Sequence, residues 1–184
     1  LIIMRKIFLV MALLCSMSAI CGKMAAEVRM SPLFTDNMVL QQRTDAPVWG
    51  TADPGAQVQV STSWNKRVYT VNAGQDGKWM VKVATPKAGG PYSISVKENG
   101  TDSRTIDNVL IGEVWLCSGQ SNMELPVRRV TDMFAREIAS YTNNQIRYFH
   151  VPNSPSFDGH KEDVQGSWKS VTQADVMEMS ALSY

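Results

Sequence analysis

In the stretch Gly112–Val127, GEVWLCSGQSNMELPV, a serine stands just past an apolar run, between two amides. The run is Val114-Trp115-Leu116-Cys117, and Ser121 follows Gln120 and precedes Asn122. A chain that leaves a buried strand and turns at once lifts its next side chains above the carboxyl edge of the sheet, where α/β proteins place their sites. Backbone N–H groups just past such a strand lack partners and are able to donate to an oxyanion developing on an acyl group. A hydroxyl at that point has the placement for attack on an acyl carbon. The spacing is not G-x-S-x-G, because Met123 takes the place of the second glycine, so the usual α/β-hydrolase elbow does not fit. Serines in turns more often cap or hydrogen-bond locally. On residue types alone both readings of Ser121 stay open.

A serine hydroxyl is a weak nucleophile until a base takes its proton. The chain has two histidines, His150 and His160. His150 ends the expected strand Tyr148-Phe149-His150-Val151 and reads as a strand-end residue before it reads as a base. His160 lies in SFDGHKED, where Asp158-Gly159 is turn chemistry, and reads as a surface residue. Glu113 and Glu124 bracket the motif. Two carboxylates suit glycosidase chemistry, but pairing with a backbone N–H or with Arg128 is the simpler fate. Trp49, Trp64 and Trp79 suit either a sugar-stacking face or a core, and the core is the commoner place for them. Cys117 reads as a small buried apolar group. The three cysteines form neither a disulfide framework nor a CxxC metal site.

The elements expected to position these residues fall into two kinds. From Val28 to about Asn108, alternation of period two recurs: Val58 and Val60 against Gln57 and Gln59, Val68 and Thr70 against Tyr69 and Val71, Trp79, Val81 and Val83 against Met80 and Lys82, Tyr92, Ile94 and Val96 against Ser93 and Ser95. Asp53-Pro54-Gly55, Asp76-Gly77, Gly89-Gly90-Pro91 and Asn99-Gly100 supply the turns between them. Short strands at this spacing predict an antiparallel β-sandwich over residues 28–108. From Val109 the pattern changes. VLIGEVWLC predicts a strand buried on both faces. A helix is expected over Met133–Tyr141, with Phe134, Ile138 and Tyr141 on one face, and a second strand over Ile146–Val151. Strand, helix and strand make one βαβ unit. Residues 152–167 read as a loop, and Ala174–Tyr184 as the opening of another helix. One βαβ unit cannot cover its own sheet, so residues 109–184 are expected to be the N-terminal part of an α/β domain.

The bulk properties exclude some functions. The formal net charge is +1, with 44% hydrophobic and 19% charged residues in 184, which suits a globular chain and gives no electrostatic case for nucleic acid. At the N-terminus, Met4-Arg5-Lys6 precedes Ile7-Phe8-Leu9-Val10-Met11-Ala12-Leu13-Leu14. A basic pair, a short apolar run and then small residues read as a signal peptide ending near residue 26, with cleavage after Ser18 as one option. The run is too short to span a membrane, which takes about 20 residues. Ser18-Ala19-Ile20-Cys21 loosely resembles a lipoprotein site, although Ile20 fits it poorly, so a membrane anchor at Cys21 is the minor alternative. The expected location is the bacterial envelope, periplasmic or extracellular.

The stretch VWLCSGQSNME resembles the hallmark of the sialate O-acetylesterase family, carbohydrate esterases with an SGNH-hydrolase-like, flavodoxin-like three-layer catalytic domain. SPLFTDNMVLQQ, PVWGTADPGAQVQV, GQDGKWMVKV and KAGGPYSISV are similar to the β-domain that precedes it in bacterial members, and GSWKSVTQADVMEMSALSY to the stretch that normally runs on into a long helix. The resemblance implies a mixed fold, a β-sandwich followed by the start of an SGNH-like domain. It implies that Ser121 is the nucleophile of ester hydrolysis, that its N–H contributes to the oxyanion hole and that Gln120 and Asn122 shape the pocket. The implied substrate is an O-acetyl ester on a sugar, sialic acid or a polysaccharide, with no metal and no organic cofactor. The sequence departs from the family in its base: neither histidine stands in an Asp-x-x-His arrangement, so this chain alone is expected to be inactive. Two alternatives stand beside this reading: a glycan-binding or scaffold β-module without catalysis, and an esterase of the acetylxylan type.

Overall fold

The computed structural model describes residues 28–184 except 141, 162 and 173, and omits the side chains of 102 and 103. The expected leader, with Cys15 and Cys21, lies outside the described residues.

Among the described residues there are ten strands, one α-helix and two 3-10 turns. A three-stranded antiparallel sheet has the order β1 (Arg29–Met30), β3 (Asp45–Thr51), β6 (Lys78–Ala84). A five-stranded sheet has the order β2 (Val39–Gln41), β8 (Thr101–Gly112), β7 (Gly89–Glu98), β4 (Gln57–Thr62), β5 (Val68–Asn72). Both sheets contribute to one core. Val48, Trp79, Val81 and Val83 from the first join Val58, Val60, Ile94, Val96, Ile106 and Val109 from the second. The period-two pattern sorts the faces as expected in β4 and β6, where every second residue is buried. In β5 it is Tyr69 and Val71 that turn inward, while Val68, Thr70 and Asn72 are exposed. The Asn99-Gly100 turn between β7 and β8 has positive φ at both residues, 49° and 82°, the geometry that Asn-Gly supplies to tight hairpins.

The structure corrects five expectations. Gly89-Gly90-Pro91, expected as a turn, forms the opening of strand β7. The five-stranded sheet is mixed, because β2 runs parallel to β8, with Val39 opposite Leu110 and Gln41 opposite Gly112. Residues 31–38 carry the chain from one sheet to the other, so β2 arrives beside β8 instead of folding back on β1. The single buried strand expected over Val109–Cys117 is divided. Val109, Leu110 and Ile111 are the buried end of β8, which runs unbroken past Asn108, whereas Trp115 is 81% exposed and Leu116 96%. Apolar composition does not supply a neighbouring strand, and none of the described strands pairs with residues 114–118. The expected βαβ unit does not form either. Helix α1 (Thr131–Ser140) is present, but β9 (Asn143–Phe149) pairs antiparallel with β10 (Trp168–Val171). The helix expected over Ala174–Tyr184 is one 3-10 turn, Asp175–Glu178. It opens on Thr172, whose hydroxyl accepts from Asp175 N at 3.1 Å, and it ends because Met179 is extended.

These later elements enclose a second, smaller cluster of Val127, Ile138, Val171, Val176 and Met179, with Tyr148, Met177 and Ala181 against it. Trp168 joins it to the main core: its indole packs there, donates to Leu33 O at 2.8 Å and meets Phe149 edge-on at 5.6 Å. Asp163 accepts from Ser31 Oγ at 2.6 Å, and Arg147 donates to the Asn108 carbonyl and, at 2.9 Å, to its Oδ1. Ile94 is fully buried where the two sheets meet. We expect Ile94→Ala to lower stability by about 2–5 kcal/mol in denaturant unfolding. Thr70→Ala, on the exposed face of β5, should stay within about 0.5 kcal/mol of the parent.

Candidate functional site

The serine segment begins where β8 ends, and a polar clamp holds that point. Gln42 N donates to Gly112 O at 2.8 Å. Gln41 Nε2 and Gln42 Nε2 donate to the two oxygens of Glu113 at 3.0 and 2.6 Å. Val114 N donates to Gln41 Oε1 at 2.9 Å. Beyond Val114 the chain is exposed through Asn122.

Ser121 lies at the start of a tight turn. Met123 N donates to Gln120 O at 2.8 Å, Glu124 N to Ser121 O at 3.2 Å and Leu125 N to Asn122 O at 3.3 Å. Gly119 fits here because a Cβ in its place would stand 3.2 Å from Met123 Cβ. The far side of the turn is tied to the C-terminal segment. Ser180 and Ser183 hydroxyls donate to Met123 Sδ at 3.5 and 3.4 Å, Ala181 N to Leu125 O at 2.8 Å, and Val127 N to Met179 O at 2.9 Å. Ser121, Gln120 and Asn122 are all exposed. The three sequence candidates therefore share one open turn, with solvent in front of the hydroxyl.

The other candidates are dispersed. His150 is exposed just past β9 and lines a shallow concavity with Tyr148, Lys169 and Glu178, to which Ser121 does not contribute. His160 is exposed beyond the Gly159 turn, where Gly159 O accepts from Ser156 Oγ at 2.6 Å. Glu113 is occupied by the clamp, and Glu124 accepts from Asn153 Nδ2, so both carboxylates have structural partners. Arg128, the partner considered for them, pairs instead with Glu178. Trp79 is buried, Trp49 meets Phe34 edge-on at 4.6 Å, and Trp64 donates to Ala84 O at 2.8 Å. The three tryptophans are thus engaged with the core and form no common stacking face. Cys117, expected to be buried, is exposed, because the strand that would have buried it does not form. No group of three or more His, Cys, Asp or Glu among the described residues is arranged to hold a metal ion.

Sequence reasoning missed Gln41, Gln42, Asn153, Ser180 and Ser183. The doubled glutamine at the end of a short strand was a visible signal. Its partner Glu113, 72 residues from Gln41, was not. Two charge effects follow from these contacts. Burial, helped by Asp175 and Glu178, raises the Tyr148 hydroxyl above its ordinary value, in keeping with its donation to Asp175 O at 2.7 Å. Hydrogen bonds from Gln41 and then Gln42 hold the Glu113 carboxyl below the usual carboxylate range; slight desolvation opposes them and Arg43 adds to them. A carboxylate lowered on folding contributes stability above its unfolded value, about pH 4.3, and loses it as the pH falls through the folded value. Thermal melting of the parent and of Glu113→Gln from pH 7 to pH 3 should therefore differ most at neutral pH and converge on acidification. A difference that does not change with pH would remove this role.

No family model matches the chain. It is 36% identical over 111 residues to the sialate O-acetylesterases of Homo sapiens and Pongo abelii, covering 55% of this chain and 21% of each relative. Against the Mus musculus sialate O-acetylesterase it is 34% identical over 128 residues, 64% of this chain and 24% of the relative. Among solved structures, it superposes on a novel carbohydrate acetylesterase from Xanthomonas citri with a TM-score of 0.78 and 35% identity, over 85% of this chain and 35% of that one. The chain therefore spans between a fifth and a quarter of the length of these curated relatives. In sequence and in fold, what it resembles is the esterase family that includes sialate O-acetylesterases and this carbohydrate acetylesterase.

Proposed function

We propose that this chain carries the serine nucleophile of a carbohydrate O-acetylesterase, exported to the bacterial envelope. The architecture that goes with this reading is a β-sandwich followed by an SGNH-hydrolase-like domain that opens where β8 ends. The observation that carries the proposal is the exposed Ser121 hydroxyl on a turn whose two flanks are held in place. Similarity to named acetylesterases supports the reaction class.

In the proposed reaction, Ser121 Oγ bonds to the acetyl carbon of a sugar ester, on sialic acid or a polysaccharide. A base takes the hydroxyl proton, and the Ser121 N–H donates to the oxyanion. The sugar oxygen leaves with a proton, and water then releases acetate and restores the serine. Gln120 and Asn122 form the pocket walls beside the nucleophile. The base in the resembling family is a histidine in an Asp-x-x-His arrangement, which neither His150 nor His160 provides. The 184-residue chain by itself should release acetate no faster than its Ser121→Ala variant. In an active whole protein containing it, Ser121→Ala should lower kcat by about 10³-fold or more. Turnover that survives the substitution would place the nucleophile elsewhere, and Ser121-dependent turnover by the isolated chain would show that the base is already within it.

A further inference from the structure

We infer that Gln41 and Gln42 are positioning residues for Ser121: this amide pair at the end of β2 sets the direction in which the chain leaves β8, and with it the place of the serine turn. The inference deepens the esterase reading and rests on it.

The pair captures three consecutive residues at the exit. Gly112 is held through its carbonyl, Glu113 through both carboxylate oxygens and Val114 through its N–H. The Gln42 amide is itself held, and so is the Gln41 backbone. Gln42 Oε1 accepts from Ala88 N at 2.8 Å, and Gln41 O accepts from Thr85 Oγ1 at 2.7 Å. The parallel register that places Gln41 opposite Gly112 brings both side chains to the exit. An amide suits this task because one side chain both donates and accepts: Gln41 donates to Glu113 while accepting from Val114. The clamp also lies at the rim, with Glu113 exposed and the buried core elsewhere. Its loss should therefore redirect the segment more than it unfolds the sheets. Misplacing a reacting group by about 1 Å can cost about 10²-fold in rate, so direction at this exit is a catalytic quantity.

The test measures the spacing between two nitroxide labels by pulsed electron paramagnetic resonance. One label sits on Cys117, within the exposed segment, and the other on Thr70→Cys in β5, with Cys15 and Cys21 replaced by serine. The parent should give one narrow distance distribution. In Q41A/Q42A and in E113A the distribution should broaden roughly twofold as that end of the segment opens locally, while the melting midpoint moves by only about 2–4 °C. Glu113→Gln, which keeps one acceptor oxygen and turns an amide NH2 toward the second glutamine donor, should give a width between that of the parent and that of E113A. An unchanged distribution in Q41A/Q42A, or a broad one in the parent, would overturn the inference. Should the double variant fail to fold, Q41A alone is read by the same criterion. The measurement needs no turnover, so its failure leaves the esterase reading standing, and a failed activity test leaves the measured positions intact.

Discussion

Hydrogen bonds hold the stretch from Gly112 to Val127 at both ends and leave its middle open. At the start, Gln41 and Gln42 grip Glu113 and Val114. At the finish, residues 179–183 grip Met123, Leu125 and Val127. Between these anchors, Val114 to Asn122 face solvent, although they include Trp115 and Leu116. Large apolar groups do not choose water on their own account. Among the described residues no strand pairs with this stretch, and the Ser121 hydroxyl lies in it, facing solvent.

The far anchor is as firm as the small cluster behind it. A two-stranded hairpin such as β9–β10 is marginal alone, and the cluster of Val127, Ile138, Val171, Val176 and Met179 is small. Trp168 compensates by serving two groups at once. Its ring belongs to the main core and to Phe149, and its N–H is satisfied by Leu33. Arg147 on Asn108 and Asp163 with Ser31 add polar contacts along the same junction. The serine turn is thus referred to the β-sheets twice, through β2 at one end and through the hairpin at the other.

Much of the first half was legible in advance. Val58, Val60, Trp79, Val81 and Val83 are inward-facing because period-two alternation leaves a strand little freedom in choosing its buried face. Asn99-Gly100 turns where such a pair should turn. The second half was less legible. VLIGEVWLC read as one strand, yet β8 takes its first residues and water meets the rest. The helix expected after Ala174 yields to a 3-10 turn because Met179 is drawn out to meet Val127. Cys117 was expected inside and lies outside for want of a covering strand.

The sequence by itself determined the inward faces of β4 and β6, the turns at Asp53-Pro54-Gly55, Asp76-Gly77 and Asn99-Gly100, the presence of one helix near residues 131–140 and the serine between two amides. These are local properties, set by side-chain period, turn propensity and residue type. Only the tertiary structure decided that β2 runs parallel to β8, that Glu113 belongs to Gln41 and Gln42, and that the tryptophans serve the core instead of a common face. The first two depend on segments that meet 71 or 72 residues apart, and Trp64 reaches Ala84 across 20. A local pattern states which side of an element is apolar, whereas the partner that covers it is chosen by the packing of the whole.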